Sequence, residues 1–345
     1  MKQVEALRAA IVGVGRAEGM GIGYRHARTY GSTPGFELVA AADIDAGHLK
    51  NFREKFDVIG YSSIEQMLHN TKPDVVSICT YVGFHFRMIK ACVAAGVRGI
   101  VCEKPFVSSP GELKELRALI AASGTKIIVP HYRRYFKAFA RARDIFASGE
   151  IGDRVTVAAA IGDRWDLSEW GSHWFDMFRF FHDDNMPEWV LAQARVTNHR
   201  AYGHAMEDHA VAYMEFPGGG RAVLETGINY LNDGVTMALT GSRGAILVIA
   251  EDKLRVYSSS GAREENYEAA DSLAWSAMFA DLRDWINTGK PAPLGFNHVA
   301  GTAELNLGAY LSMIEGDRVD FPLKNLIDEW PVEELARRHA SKCSG

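Results

Sequence analysis

Through roughly the first 125 residues, short and almost unbroken apolar runs alternate with stretches of helical character. Runs at 9–15, 36–43, 58–61, 74–80, 98–103 and 126–130 are filled by Val, Ile, Ala and Cys with little polar interruption. That is the pattern of strands covered on both faces of a sheet. Between them, 46–56, 64–69, 84–95 and 110–122 are rich in Ala, Leu, Lys and Glu and read as helices. Strand and helix taking turns predict βαβ units and a doubly wound parallel sheet.

The pattern changes after a predicted helix at 135–148 and the turn Gly149-Glu150-Ile151-Gly152. Period-two alternation then dominates 154–161, 209–216, 221–230, 235–240, 245–251 and 253–258. Tight turns at Pro217-Gly218-Gly219-Gly220 and Gly241-Ser242-Arg243-Gly244 have hairpin chemistry. One helix near 172–181 interrupts the sheet, and helices near 275–287 and 301–314 close it. The expectation is an α/β domain at 1–130 and an α+β domain at 131–345 with a large, mainly antiparallel open sheet. A C-terminal segment has room to pack back on the first domain. The uncovered face of that sheet predicts a homodimer or homotetramer, since broad apolar sheet faces are seldom left bare.

Composition narrows the functional classes. A length of 345 residues suits two domains, and 47% hydrophobic with 23% charged residues is ordinary for a globular protein. A formal net charge of −5 offers no concentrated basic face for nucleic acid or a membrane surface. The four cysteines show no paired metal spacing and read as small buried hydrophobes in a reducing compartment. With no signal-like start and no membrane-length apolar run, a cytoplasmic location is expected. Neither His-Glu-x-x-His, a nucleophile elbow nor a Gly-Lys-Ser/Thr loop occurs, so no metal is expected.

Three places carry candidate chemistry. Ile11-Val12-Gly13-Val14-Gly15 ends a strand in a glycine turn, yet Glu18 stands where a small third residue is usual. The loop runs on through Gly19-Met20-Gly21-Ile22-Gly23, so Gly21 or Gly23 is expected to let the next helix approach a pyrophosphate. Asp43 closes the second strand, where an acid accepts hydrogen bonds from adenosine ribose hydroxyls; no Arg or Lys follows to receive a 2′-phosphate, which favours NAD over NADP. Asp45 is the better placed of the two acids to cap the following helix. Glu103-Lys104-Pro105 closes the fifth strand, and an ammonium there faces the ligand crevice of such a sheet. In the second half, Trp165-Asp166-Leu167-Ser168-Glu169-Trp170-Gly171-Ser172-His173 leads into an amphipathic helix. Glu169 and His173 are four apart and meet if that helix starts early enough, giving an imidazole suited to proton transfer. The spacing fits equally a surface histidine, with Asp176 paired to Arg179 or to a lysine elsewhere.

Together these motifs resemble the Gfo/Idh/MocA family of sugar and polyol dehydrogenases across nearly the whole chain. The resemblance is carried by the lengthened Gly13-x-Gly15 loop ending Ile22-Gly23-x-x-His26, Asp43, Thr80-x-x-x-x-His85, Glu103-Lys104-Pro105, Gly171-x-His173-x-x-Asp176 and Thr240-Gly241-x-x-Gly244. It implies a Rossmann domain holding NAD(P), with a carbohydrate or polyol substrate between it and the open sheet. Cofactor contacts are implied for Gly13, Gly15, Arg16, Gly21, Ile22, Gly23, Asp43, Thr80, His85, Glu103 and Lys104. Lys104 positions the reacting hydroxyl and His173 takes its proton, with Glu169 standing where relatives often carry Asp. Substrate contacts are implied for Lys104, Arg133, Trp165, Asp166, Glu169, His173 and Tyr230, the arginine lying in Tyr132-Arg133-Arg134 where relatives often read Asn-Arg-Arg. The same resemblance leaves two rivals: a glycoside hydrolase that keeps its NAD, and a non-catalytic NAD-binding regulator.

Overall fold

The computed structural model describes residues 5–16, 21–162, 166–197, 199–228, 235–268 and 271–343. Contacts divide the chain into two compact units. The first comprises the chain up to Val107, Lys114–Pro130 and Ser272–Ala300; the second comprises Ser108–Leu113, His131–Asp271 and everything from Gly301 onward.

The first unit is built from β1 (Leu7–Val12), α1 (Ile22–Ser32), β2 (Phe36–Ala42), α2 (Ala46–Phe56), β3 (Ile59–Tyr61), α3 (Ile64–Thr71), β4 (Val75–Ile78), α4 (Val82–Ala94), β5 (Gly99–Cys102), part of α5 (Pro110–Ser123) and β6 (Lys126–Ile128). All six strands are parallel, in the order β3-β2-β1-β4-β5-β6. This is a doubly wound Rossmann sheet whose order reverses between β1 and β4, where ligands of such sheets bind. Ala9, Ile11, Val75, Val76, Ile100, Val101 and Ile127 are fully buried, as their unbroken apolar runs require. Asp45 caps α2 as expected, its carboxylate accepting from the His48 N–H at 2.8 Å.

In the second unit a 3₁₀ turn (Tyr132–Tyr135) precedes α6 (Lys137–Ser148) and β7 (Arg154–Gly162). The single helix expected at 135–148 is split because Phe136 is extended. The chain continues through α7 (Gly171–Phe181), β8 (Trp189–Arg195), the short pair β9 (Arg200–Ala201) and β10 (His204–Ala205), then β11 (His209–Glu215), β12 (Arg221–Ile228), β13 (Val235–Gly241), β14 (Gly244–Ile249), β15 (Lys253–Ser258) and β16 (Gly261–Asn266). The chain ends in α8 (Asp271–Thr288), α9 (Phe296–Glu315), β17 (Val319–Asp320) and α10 (Pro331–Cys343), α8 belonging to the first unit.

Nine strands form the large sheet, in the order β16-β15-β14-β13-β7-β12-β11-β8-β17. Only the β7–β12 pair is parallel. One face, including Val157, Leu224, Met237, Leu239, Ile246 and Val248, is buried, and α6 and α7 pack against these strands. On the other face, strand register lines up Leu191, Tyr213, Val223, Ala158, Ala238 and Leu247 across six neighbouring strands. All six are exposed or half-buried. The outer strand β16 has no large apolar residue, and Glu264 is bound to Lys253 at 3.1 Å and Arg255 at 3.3 Å. That composition hid it from a hydrophobic pattern, and α10, with few apolar positions, was hidden likewise.

Candidate active site

In the first unit the site grows from the β1 and β4 ends. Gly13 has φ +81°, and a Cβ there would lie 2.8 Å from the Thr80 methyl and 2.9 Å from the Cys79 carbonyl. No side chain fits, so the turn stays thin enough for a ligand backbone to approach. Gly15, also at positive φ, donates its N–H to Asp43 Oδ2 at 3.2 Å, and Asp43 Oδ1 accepts from the Asp45 N–H at 2.9 Å. The Asp43 carboxylate is thereby fixed at the end of β2, between the glycine turn and the start of α2. Gly21 precedes α1, and Ile22 is its first residue. A Cβ on Gly23 would lie 2.7 Å from the Val14 backbone, so this glycine permits close helix–turn packing. Arg16 is exposed on the turn.

Thr80 follows β4, and its buried Oγ1 has no hydrogen-bond partner among the described residues. An orphaned hydroxyl beside a glycine cradle that a Cβ would fill, with a fixed carboxylate at the next strand end, suits a dinucleotide. His85 braces the neighbouring segment: Nε2 lies 2.9 Å from the Thr80 carbonyl and Nδ1 2.9 Å from the Pro105 carbonyl. Burial pushes this imidazole's pKa down despite those carbonyls.

Glu103 is buried behind Lys104. Its Oε1 is 3.0 Å from His26 Nε2, and its Oε2 accepts from the Lys104 N–H at 3.2 Å. Burial raises the Glu103 carboxyl, but His26 and Lys104 outweigh it and hold the group below its usual range. His26 Nδ1 continues to Ser77 Oγ at 2.8 Å, which meets Tyr30 Oη at 2.8 Å. Ser77 is a lone polar residue in the apolar run of β4 and Tyr30 lies in α1, so local spacing does not mark this buried linkage. Its effect is to fix the backbone that presents Lys104, itself half-buried just after β5.

In the second unit, Trp165 and Tyr230 lie outside the described residues. Asp166 is fully buried, with Oδ2 accepting from Ser168 Oγ at 2.6 Å and Oδ1 from the Glu169 N–H at 2.8 Å. It shapes the turn that launches α7. The helix begins only at Gly171, so Glu169 lies before it, and its Oε1 meets His204 Nε2 at 3.1 Å. His204 Nδ1 lies 2.7 Å from the Ala205 carbonyl. With acceptors at both nitrogens, one of them a carboxylate, the charged form is favoured and the pKa is raised: burial lowers it, but Glu169 and the carbonyl prevail.

His173 is buried in the first turn of α7, its ring centroid 5.8 Å from those of Trp170 and Tyr132. Arg133 is also buried; its guanidinium lies 4.6 Å from the Trp174 ring centre and 5.2 Å from that of Trp170, while Nε donates to Glu251 at 2.7 Å. Arg134 holds α7 through a two-pronged bond to Asp176, at 3.1 and 3.0 Å. Sequence spacing suggested Arg179 or a lysine for that role. His131, 3.4 Å from His173 through facing Nδ1 atoms, belongs to the same cluster and was not singled out from the sequence. Its only signal there is its position immediately before Tyr132-Arg133-Arg134.

A second carboxylate lies behind the α7 turn. Glu207 accepts from the Leu167 N–H at 2.6 Å and meets Tyr310 Oη at 2.8 Å. Burial, then the neighbouring Asp166, pushes its pKa up to about 8 from an ordinary 4.5. Between those values the folded protein keeps a proton that the unfolded chain releases, so stability falls as pH rises through this window. His204, whose folded pKa is also raised, adds to that alkaline loss. His182, lowered by burial to about 4, acts in the opposite sense and only below its ordinary 6.5. The unfolding midpoint is therefore expected to drop between about pH 6.5 and pH 8, and to drop less in Glu207→Gln, which imitates the protonated acid. Equal drops in the two proteins would show that Glu207 is ionised when folded.

Among the described residues no group of His, Cys, Asp or Glu could hold a metal ion, and no helix is long and apolar enough to cross a membrane.

A Rossmann sheet with a glycine cradle, joined in one chain to a mixed open sheet carrying a buried His on its helix, defines a nucleotide-dependent two-part scaffold. The chain belongs to the GFO/IDH/MocA family: residues 7–131 match its "Oxidoreductase family, NAD-binding Rossmann fold" and 139–247 its C-terminal domain. The first unit is thus an NAD-binding Rossmann fold of an oxidoreductase family. Relatives include the uncharacterized oxidoreductase YrbE of Bacillus subtilis, 27% identical over 62% of this chain and 65% of that protein. Inositol 2-dehydrogenase of Salmonella agona is 24% identical over 83% of this chain and 87% of its own length. Mammalian trans-1,2-dihydrobenzene-1,2-diol dehydrogenases are matched over 38–66% of theirs, so several of these relatives are spanned for less than two thirds. Among solved structures, an oxidoreductase from Agrobacterium radiobacter in complex with NAD+, L-tartaric acid and magnesium shares the fold: TM-score 0.79, 18% identity, 91% of this chain and 98% of that one.

Proposed function

We propose that this protein is an NAD-dependent dehydrogenase that oxidises a secondary hydroxyl of a sugar, sugar acid or cyclitol, or reduces the matching ketone. The observation that carries the reading is Lys104, half-buried just after β5 on a backbone fixed by Glu103 and His85, in the same sheet as the Gly13 cradle. An ammonium there is suited to polarise a carbinol oxygen. His173 is the group to take the hydroxyl proton. NAD, when bound, accepts the hydride; Gly13, Gly15, Gly21, Ile22, Gly23, Thr80 and Asp43 are the residues to hold it, and Arg133 and Glu169 border the substrate. The inositol 2-dehydrogenase relative supports a polyol substrate.

The test is to follow formation of NADH with inositols, sugars and sugar acids. Turnover with any of them supports the reading. Substrate cleavage with no net NADH would replace it with an NAD-retaining hydrolase, and binding of NAD without reaction would leave a regulator. Asp43→Ala is expected to narrow the preference for NAD over NADP, measured as the ratio of their dissociation constants. An unchanged ratio would remove Asp43 from the ribose.

The partner for the open sheet face is a second copy of the chain. Its row of Leu191, Tyr213, Val223 and Leu247 would leave a broad apolar strip in water on a monomer. Light scattering is expected to give a dimer or tetramer, and Tyr213→Lys a smaller species; a monomeric wild type would overturn this.

A further inference from the structure

We infer that His131 is a positioning residue for His173, fixing which nitrogen of that imidazole carries its proton. This deepens the dehydrogenase reading and rests on it for its catalytic meaning. The two rings are both buried, at 3% and 5% exposure, and stand edge to face at 88° with Nδ1 atoms 3.4 Å apart. Two facing ring nitrogens attract only if one carries hydrogen and the other offers a lone pair; two lone pairs, or two N–H groups, repel. One proton is therefore shared at this contact.

Which ring owns it decides what His173 can do. If His131 donated, His173 would carry its own proton on Nε2 and have no lone pair there to receive another. If His173 donates from Nδ1, its lone pair is on Nε2, and the alcohol proton has an acceptor. The reaction then balances simply. The O–H bond breaks, an Nε2–H bond forms, and the electron pair of O–H becomes the second bond of the carbonyl as hydride departs to the bound nicotinamide. The resulting imidazolium keeps its Nδ1–H directed at the His131 lone pair, so His131 steadies the charge without touching substrate. An orienting partner on the far nitrogen is what a histidine base generally requires. The rings of Tyr132 and Trp170 flank His173 edge-on, each with its centroid 5.8 Å away.

The experiment is nitrogen NMR of histidine-labelled protein without substrate, with the His173 signals assigned by their loss in His173→Asn. His173 is expected as the Nδ1–H tautomer in the wild type. In His131→Phe, which keeps the ring but removes its nitrogens, His173 should shift to the Nε2–H form. His131→Asn, whose amide can place an acceptor near the lost Nδ1, should restore the Nδ1–H form and show that a nitrogen-bonding partner, not ring packing, sets the tautomer. A wild-type His173 with its proton on Nε2, or a tautomer that ignores His131→Phe, would overturn the inference. Because no turnover is needed, a failed substrate screen beside the expected spectrum would sink the dehydrogenase reading alone.

Discussion

Replacing Lys104 by alanine is expected to lower kcat by at least about 100-fold while leaving NAD affinity within a few-fold, since a well-placed acid–base group contributes about 10²–10⁴. The asymmetry follows from how the first unit is built. The surfaces suited to the dinucleotide are glycine backbone at Gly13 and Gly15 and the Asp43 carboxylate, none of which uses the lysine. The Lys104 main chain is held by Glu103 and by His85 at the next residue, so truncating the side chain leaves the β5 end in place. Loss should therefore appear in kcat, read from initial rates, with cofactor binding followed separately by NADH fluorescence. An unchanged rate would remove Lys104 from the chemistry; an equal collapse of NAD binding would make it a cofactor clamp.

The second large effect is on stability. Arg134→Ala is expected to cost the second unit about 3–5 kcal/mol, because it removes the cation that grips a buried carboxylate with two nitrogens. Asp176 is fully buried, and Arg134 grips it with two nitrogens while also reaching Asp184 at 3.1 Å. Arg179 adds a second nearby positive charge, its guanidinium donating to Thr302 Oγ1 at 2.8 Å and to the Asp184 carbonyl at 3.0 Å. Denaturant unfolding followed by tryptophan fluorescence suits the measurement, since Trp170, Trp174, Trp189 and Trp330 all belong to this unit. Arg134→Met combined with Asp176→Leu should recover much of the loss, as removing both partners of a buried pair generally does. A single-variant loss below about 1 kcal/mol would mean that Asp176 finds another cation.

Much of the fold was legible from residue pattern. The apolar runs marked all six strands of the first sheet, because a strand buried on both faces tolerates almost nothing polar. Alternation marked β7, β11, β12, β13, β14 and β15 of the second. It missed β8, β16 and β17: β16 has no buried face to impose a period, and β17 is only two residues long. At the site, single positions could be proposed where chemistry needs a rare residue, as with Gly13, Asp43 and Lys104. Partnerships could not. Glu169 with His204, Asp176 with Arg134, Glu103 with His26 and His131 with His173 join residues 35 to 77 positions apart, and local spacing carries no information on such pairs.

The polar outer strand has a consequence for assembly. A ribbon that grows by adding strand to strand has no natural end, and that route leads to fibres. On one side of this sheet a newcomer would meet β16, rich in charged and polar side chains; on the other it would find only the two residues of β17. Growth sideways is thus disfavoured at both borders among the described strands, which leaves the open face as the surface proposed above for a second copy, and a back-to-back pair would close on itself rather than grow.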